Sequence, residues 1–346
     1  MKPRRIAYAG TGGVAAALAA ALALVPAAPA APTGPPALAA AGCTPVSNIE
    51  AIVDDSGSMD LTDPDKLRVA ALDLLIDTPG NEKIVLGASE FGGQIAAFPG
   101  EPPAADTVFP PEAIGPNASA MKAALDAKIR ADNGVTDYNA AFAQAQADDP
   151  GAKARIFLTD GGHDVGDYNN GHRGGPPTYV IGFSGASLGP DGNRLRQIAG
   201  DTGGRAFLQT DSSNLQSVMN EIGTTLTCQS PPKAFRDTFA RAGQSRAHAV
   251  TVASSAKTAQ LTLSWANPSD SFTLGGVRLV RRGRVVAVAS RKRHLRLTVR
   301  HGATFLVVKV GNLTRGKLEF KVRSTRIGGG SSGVRLTTQV TQSRRR

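Results

Sequence analysis

Acidic side chains nearly vanish from the last third of this chain: from residue 231 to the end there are 3, against 24 basic ones. That segment is far from charge balance and needs an anionic partner or an exposed, solvated surface. Aromatic residues are also few, at 5% of 346 residues, with a single tryptophan. So sparse a set disfavours nucleic acid as the partner, because single-strand binding relies on rings that stack on bases. There are only two cysteines, Cys43 and Cys228, which allow one disulfide at most. After residue 25 no apolar run is long enough to cross a bilayer as a helix.

The one long apolar run lies at the start. Lys2, Arg4 and Arg5 precede an Ala/Leu stretch to Val25, and "APA" follows at 28–30. This is the anatomy of a secretory signal peptide over residues 1–30, with a Pro/Ala-rich linker over 31–42. An uncleaved anchor over 6–25 is the alternative, and "AAGC" ending at Cys43 faintly resembles a lipoprotein cleavage site. The expected location is secreted or cell-surface. Export would place both cysteines in an oxidising compartment. Heavy use of alanine, glycine and arginine suggests a bacterial source.

Residues 1–230 carry a net −10 and residues 231–346 a net +21, an asymmetry that argues for two domains with different partners. In the first, strand signals alternate with helical ones. The strands are read at 49–54, 83–91, 94–98, 154–160, 178–184 and 205–210, and the helices at 64–77, 118–131, 137–147, 192–200 and 212–226. This order predicts an α/β doubly wound, mostly parallel sheet over 43–228. Gly92-Gly93 predicts an antiparallel edge hairpin. A linker is expected at 229–235, then period-two patterns over 236–326 that predict a small all-β sandwich. Val250, Val252, Leu261, Leu263 and Trp265 are expected to face its core, and "RRGR" at 281–284 to form a hairpin turn. Residues 327–346, with "GGGSSG" and a basic end, read as a flexible tail.

Three separated pieces carry the chemistry. "DDSGS" supplies Asp54, Ser56 and Ser58 just after a strand; "GVTDY" supplies Thr136 before a helix; "LTDGG" supplies Asp160 after another strand. Two carboxylates and three hydroxyls are hard oxygen donors, suited to Mg²⁺, Mn²⁺ or Ca²⁺ rather than zinc. The bland reading of the same residues is helix capping and turn chemistry.

Together these pieces resemble the metal-ion-dependent adhesion site of the von Willebrand factor type A domain family. Asp54, Ser56 and Ser58 match its Asp-x-Ser-x-Ser motif, Thr136 its threonine and Asp160 its distal aspartate. The resemblance extends over residues 46–228. It implies a doubly wound sheet and cation-dependent protein binding without catalysis, the metal (Mg²⁺ foremost) accepting a carboxylate from a partner protein. Asp55 departs from the family pattern and has no assigned role. The polar loop after Asp160, with His163, Asp164, Asp167 and Tyr168, is a candidate for partner specificity. The resemblance also places the domain's ends together, so that a Cys43–Cys228 disulfide would close almost the whole domain, worth about 4–5 kcal/mol in the chain-entropy model.

Other patterns compete. "GASLG" at 185–189 matches a hydrolase nucleophile elbow around Ser187, but Pro190, Asp191 and Gly192 follow where the serine should enter a helix at once. His163 and His172 with Asp164 and Asp167 could form a second metal site; solvated side chains are the simpler expectation. The sandwich weakly resembles bacterial pre-peptidase C-terminal domains. Its basic cluster, Arg281, Arg282, Arg284, Arg291, Lys292, Arg293, Arg296 and Arg300, suits anionic cell-wall polymer or membrane, or is mere solvation. The alternative function is an envelope scaffold in which the first domain is mainly structural and the sandwich anchors it.

Overall fold

The structure, a computed structural model, describes residues 44–346 except 79–80, 94–103, 131–133, 184–187, 212–213, 229–232, 266, 268, 291–292, 303, 329–333 and 345–346. The expected signal segment, the Pro/Ala linker, Cys43, Ser187 and the strand read at 94–98 therefore lie outside the described residues.

The first lobe runs β1 (Asn48–Asp54), α1 (Met59–Thr62), α2 (Leu67–Asp77), β2 (Val85–Phe91), β3 (Ala105–Ala113), α3 (Ile114–Lys128), α4 (Tyr138–Asp148), β4 (Ala154–Thr159), β5 (Thr178–Phe183), α5 (Gly189–Asp201), β6 (Arg205–Thr210) and α6 (Leu215–Leu226). Six strands form one sheet in the order β3-β2-β1-β4-β5-β6. Neighbours pair parallel except β2 with β3. Apart from Glu50, the middle of β1 is apolar on both faces because helices cover both. Ile49, Ala51 and Val53 share a core with α2, α3 and α6. Ile52 packs with Phe91 and Phe157 among residues of α4 and α5.

The antiparallel edge exists, but β3 at 105–113 forms it. Pro110 and Pro111 masked that strand in the sequence. At a sheet edge they are tolerated, and the register slips opposite them, between Leu86 and Ala88. The helix read at 64–77 is α2, which starts at Leu67, and the short α1 before it was not expected. Pro190, Asp191 and Gly192 belong to α5, with the proline in its first turn, where no amide donor is needed.

The second lobe is a sandwich of β7 (Lys233–Phe239), β8 (Ser245–Val252), β9 (Ala256–Ser264), β10 (Ser271–Arg281), β11 (Arg284–Ser290), β12 (Arg293–His294), β13 (Arg296–His301), β14 (Phe305–Gly311), β15 (Gly316–Arg326) and β16 (Val334–Arg344). The sheets have the orders β12-β11-β10-β15-β8 and β13-β14-β9-β16-β7. The five residues expected inward, Val250, Val252, Leu261, Leu263 and Trp265, all lie in its core. Arg282 and Gly283, at φ 49° and 75°, make the two-residue turn between β10 and β11.

Two boundaries differ from the sequence reading. β7 begins at Lys233, inside the expected linker. The expected flexible tail contains β16, which lies between β9 and β7. Leu336 and Val340 point into the sandwich core, and polar residues between them hid the pattern. Thr338 alternates into the same core, and Gln339 is buried on the outer face of this sheet, which the first lobe covers. Phe305 and Val307 of β14 join the core of α2 and α6. Gln339 of β16 donates to Ser217 Oγ at 2.7 Å and accepts from Asn220 Nδ2. Among the described residues no helix is long and apolar enough to cross a membrane.

Deleting residues 334–346 removes a central strand rather than a tail. The emission of Trp265, the single tryptophan, is expected to shift to the red on this deletion; an unchanged spectrum would show β16 to be dispensable. A second test concerns Glu50, fully buried on β1. Burial, with Asp148 and Asp149 nearby, pushes its carboxyl up to about 9. A carboxyl raised in this way stabilises the fold at low pH, and that contribution fades as pH climbs toward the folded value. Glu50→Gln is expected to match wild type in urea near pH 4 and to be more stable by about 4–5 kcal/mol near pH 8. A difference independent of pH would contradict this.

Candidate metal centre

β1 and β4 are neighbours at the middle of the sheet, where the chain order reverses between β2 and β4. Their carboxyl ends border the crevice in which open α/β sheets bind ligands. Asp54 is the last residue of β1 and Asp160 follows β4 directly. Ser56 and Ser58 lie on the loop into α1, and Thr136 lies two residues before α4. Asp54, Ser56, Thr136 and Asp160 are buried, while Ser58 is exposed.

The loops approach closely. Gly57 N–H donates to Gly134 O at 3.2 Å, joining the serine loop to the Thr136 loop. A β-carbon on Gly134 would fall 1.7 Å from Gly92 O, and one on Gly92 would fall 2.2 Å from Ser56 N. Only glycine allows the three loops to meet here.

Within the site, Ser56 donates to Asp54 Oδ1 from its backbone N–H at 3.0 Å and from its hydroxyl at 2.6 Å. The hydroxyls of Ser56 and Ser58 stand 3.2 Å apart. Thr159 Oγ1 donates to Asp54 Oδ2 at 2.5 Å and faces the Tyr138 hydroxyl at 3.2 Å. Thr62 Oγ1 donates to Asp160 Oδ2 at 2.8 Å. Thr136 reaches the site through its loop: its oxygen lies against Gly162, and its carbonyl accepts from Asp164 N–H at 2.8 Å. Among the described residues no side-chain hydrogen bond joins Thr136 to the other four.

Capping does not account for the set. Ser58 occupies the N-cap of α1 but its side chain makes no cap bond. Asp137, not Thr136, caps α4. Thr159, Tyr138 and Thr62 were missed in the sequence. Thr159 stands beside the aspartate in "LTDGG" and Tyr138 two after the threonine in "VTDY", which was the available signal.

Asp55 has a structural role. It points away from the site, where Arg68 Nη2 of α2 donates to Oδ1 at 2.9 Å and Arg130 N–H to Oδ2 at 2.7 Å. Arg68 also holds Asp63 at 3.0 Å. Arg68, Asp55 and Asp63 are all buried, so the group anchors the serine loop to α2.

The loop after Asp160 is pinned rather than loose. His163 Nδ1 accepts from Tyr138 N–H at 3.2 Å, and Asp164 and Asp167 are exposed. His172 is fully buried, against the expectation of a solvated side chain: Nδ1 meets the Tyr168 hydroxyl at 2.6 Å and Nε2 meets Asp201 at 3.1 Å. Both of its ring nitrogens are thus engaged away from His163. Burial lowers the affinity of His163 and His172 for a proton. Among the described residues no three His, Cys, Asp or Glu side chains converge on one ion. A cation here would rest on two carboxylates and the hydroxyls.

The donor set fits such a cation. Burial, and then the charge of Asp160, push the Asp54 carboxyl up to about 7 despite its bonds from Ser56 and Thr159. The ion pairs among the described residues involve neither carboxylate. A divalent ion relieves that repulsion, and hard oxygens are its preferred donors.

No family model matches the sequence, and no curated protein matches it. Solved structures are similar in shape. Proximal thread matrix protein 1 of the mussel byssus is 15% identical, with TM-score 0.38, covering 58% of this chain and 51% of its own. The pilus adhesin SpaC of Lactobacillus rhamnosus GG is 12% identical, with TM-score 0.40, covering 88% and 45%. The manganese-loaded Plasmodium vivax TRAP protein is 16% identical, with TM-score 0.39, covering 60% and 87%. This chain thus spans about half of the first and less than half of the second. All three likenesses are too distant to transfer a function.

Asp160→Asn removes the charge that faces Asp54. In EDTA this variant is expected to be more stable than wild type by about 1–2 kcal/mol in urea. Added Mg²⁺ should stabilise wild type and leave the variant unchanged. Equal response of the two proteins to Mg²⁺ would contradict the site.

Proposed function

We propose that this chain is an exported, adhesion-type binding protein whose first lobe captures a partner protein through a divalent cation. Asp54, Ser56, Ser58, Thr136 and Asp160 would hold Mg²⁺, with Mn²⁺ and Ca²⁺ as ions of compatible chemistry. When bound, the cation supplies a positive centre with an open position for a partner's carboxylate. The chain's own residues do the rest. Asp54 and Asp160 give negative charge, Ser56 and Thr159 fix the Asp54 carboxylate, and Arg68 anchors the loop from behind through Asp55. His163, Asp164, Asp167 and Tyr168 line the neighbouring loop, where they are placed to select the partner. The observation that carries this reading is the buried Asp54–Asp160 pair, which lacks a basic partner among the described residues.

Cys43–Cys228 pairing belongs to the same proposal. Val46 N–H donates to Leu226 O at 2.8 Å, which sets the chain three residues after Cys43 beside the residue two before Cys228. The envelope-scaffold reading has one observation in its favour. Arg281, Arg282 and Arg284 are exposed at the β10–β11 hairpin, and Arg296 and Arg300 are exposed on β13, at the edge of the other sheet. Anionic wall polymer or membrane would suit them. Arg291 and Lys292 lie outside the described residues, and Arg293 is on β12.

Calorimetric titration of Mg²⁺ into wild type and Asp160→Ala tests the main reading. Binding by wild type and none by the variant is expected; equal binding by both would remove the mechanism. Retention of the isolated second lobe on purified cell wall, indifferent to EDTA, would favour the scaffold.

A further inference from the structure

Leu61 is 87% exposed, the most exposed large apolar side chain among the described residues. It lies on α1, three residues after Ser58, beside the metal centre. Asp60, Asp164 and Asp167 are exposed carboxylates on the same rim. A partner for this surface needs three things: a carboxylate for the cation, basic groups around that carboxylate, and an apolar recess for Leu61.

The sandwich sheet that the first lobe leaves uncovered, β12-β11-β10-β15-β8, has all three on its outer face. Of the three acidic residues after 230, Asp270 is buried and Asp237 is bound to His248 at 2.7 Å with 11% of its side chain exposed. Glu319 is the most open, at 26%. Lys317, Lys321 and Arg323 flank it at two-residue spacing on β15 and are exposed. Arg278 holds Glu319 Oε2 at 2.9 Å, while Oε1 takes no hydrogen bond from a described residue. Around Glu319 lies a depression of about 560 Å³ whose apolar lining includes Ala247, Ala249, Val277 and Val288.

We propose that the metal centre of one copy of this chain binds the Glu319 face of a second copy, head to tail. The inference rests on the metal centre being a divalent-cation site that accepts a carboxylate. Glu319 supplies that carboxylate, the basic residues of β15 meet the acidic rim, and Leu61 seats in the depression. The overall imbalance, −10 in residues 1–230 and +21 beyond, steers the two lobes of different copies together. The contact between the lobes within one copy leaves this face free, being built around Phe305, Val307, Gln339 and Asn220 on the other sheet. The two surfaces differ, so the contact is heterologous and generates rings or open chains rather than a two-fold dimer.

Sedimentation velocity of the full chain over a range of concentrations, in Mg²⁺ and in EDTA, tests this, with Mg²⁺ calorimetry on the same samples. Wild type is expected to associate in Mg²⁺ and to dissociate in EDTA. Glu319→Gln should bind Mg²⁺ as wild type does and associate about 30-fold more weakly or worse. Asp160→Ala should lose both properties. An equimolar mixture of the two variants should form a 1:1 complex and nothing larger, because each retains one of the two surfaces. Wild type that binds Mg²⁺ but stays monomeric, or Glu319→Gln that assembles like wild type, overturns the inference and leaves the metal reading intact. Absence of Mg²⁺ binding removes the reading beneath both.

Discussion

Asp54 and Asp160 face each other at the carboxyl ends of adjacent parallel strands, buried and with a like-charge repulsion that burial intensifies. Water cannot solvate them well there, and among the described residues no arginine or lysine pairs with either. Hydroxyls from Ser56 and Thr159 bind Asp54, and Thr62 binds Asp160, but hydrogen bonds from neutral groups do not cancel charge. The pairing of β1 with β4 forces the two together, and the glycines at 92 and 134 let the flanking loops close around them. A cation is the simplest answer to that electrostatic problem, and the surrounding hydroxyls are donors it favours.

The surroundings are organised to hold that arrangement still. Asp55 turns away from its neighbour Asp54 and binds Arg68, so that one strand end serves two purposes on its two sides. A buried pair of this kind is costly to break from one side, which suits an anchor more than a source of net stability. α2, which carries Arg68, packs on α6 and on Phe305 of the second lobe. The sandwich therefore supports the helices behind the candidate metal centre while presenting its other sheet, with the basic β15 face, to solvent.

Much of the first lobe was legible in the sequence because its signals are strong and local. β1, β4, β5 and β6 are apolar runs that end in glycine or hard polar residues, and the five candidate ligands sit at element ends. What escaped notice has physical reasons. β3 was hidden by Pro110 and Pro111, which an edge strand at a bulge can accept. β16 looked like a tail because Thr338, Gln339 and Thr341 are polar, yet all are buried: Thr338 alternates into the sandwich core, while Gln339 and Thr341 lie against the other lobe, a contact invisible to local pattern. Asp55 had no role until Arg68, thirteen positions away, was seen to reach it. His172 was expected in solvent, but the fold supplies both Tyr168 and Asp201 as partners. Thr159, Tyr138 and Thr62 act on the two carboxylates, which only the three-dimensional arrangement reveals.

The most direct test of the account is anomalous diffraction from crystals of the full chain grown with Mn²⁺. The account predicts a single strong manganese peak coordinated by Asp54, Ser56, Ser58, Thr136 and Asp160, absent from crystals of Asp160→Ala. Manganese bound elsewhere, or an ordered wild-type site with water and no metal at saturating Mn²⁺, would contradict it.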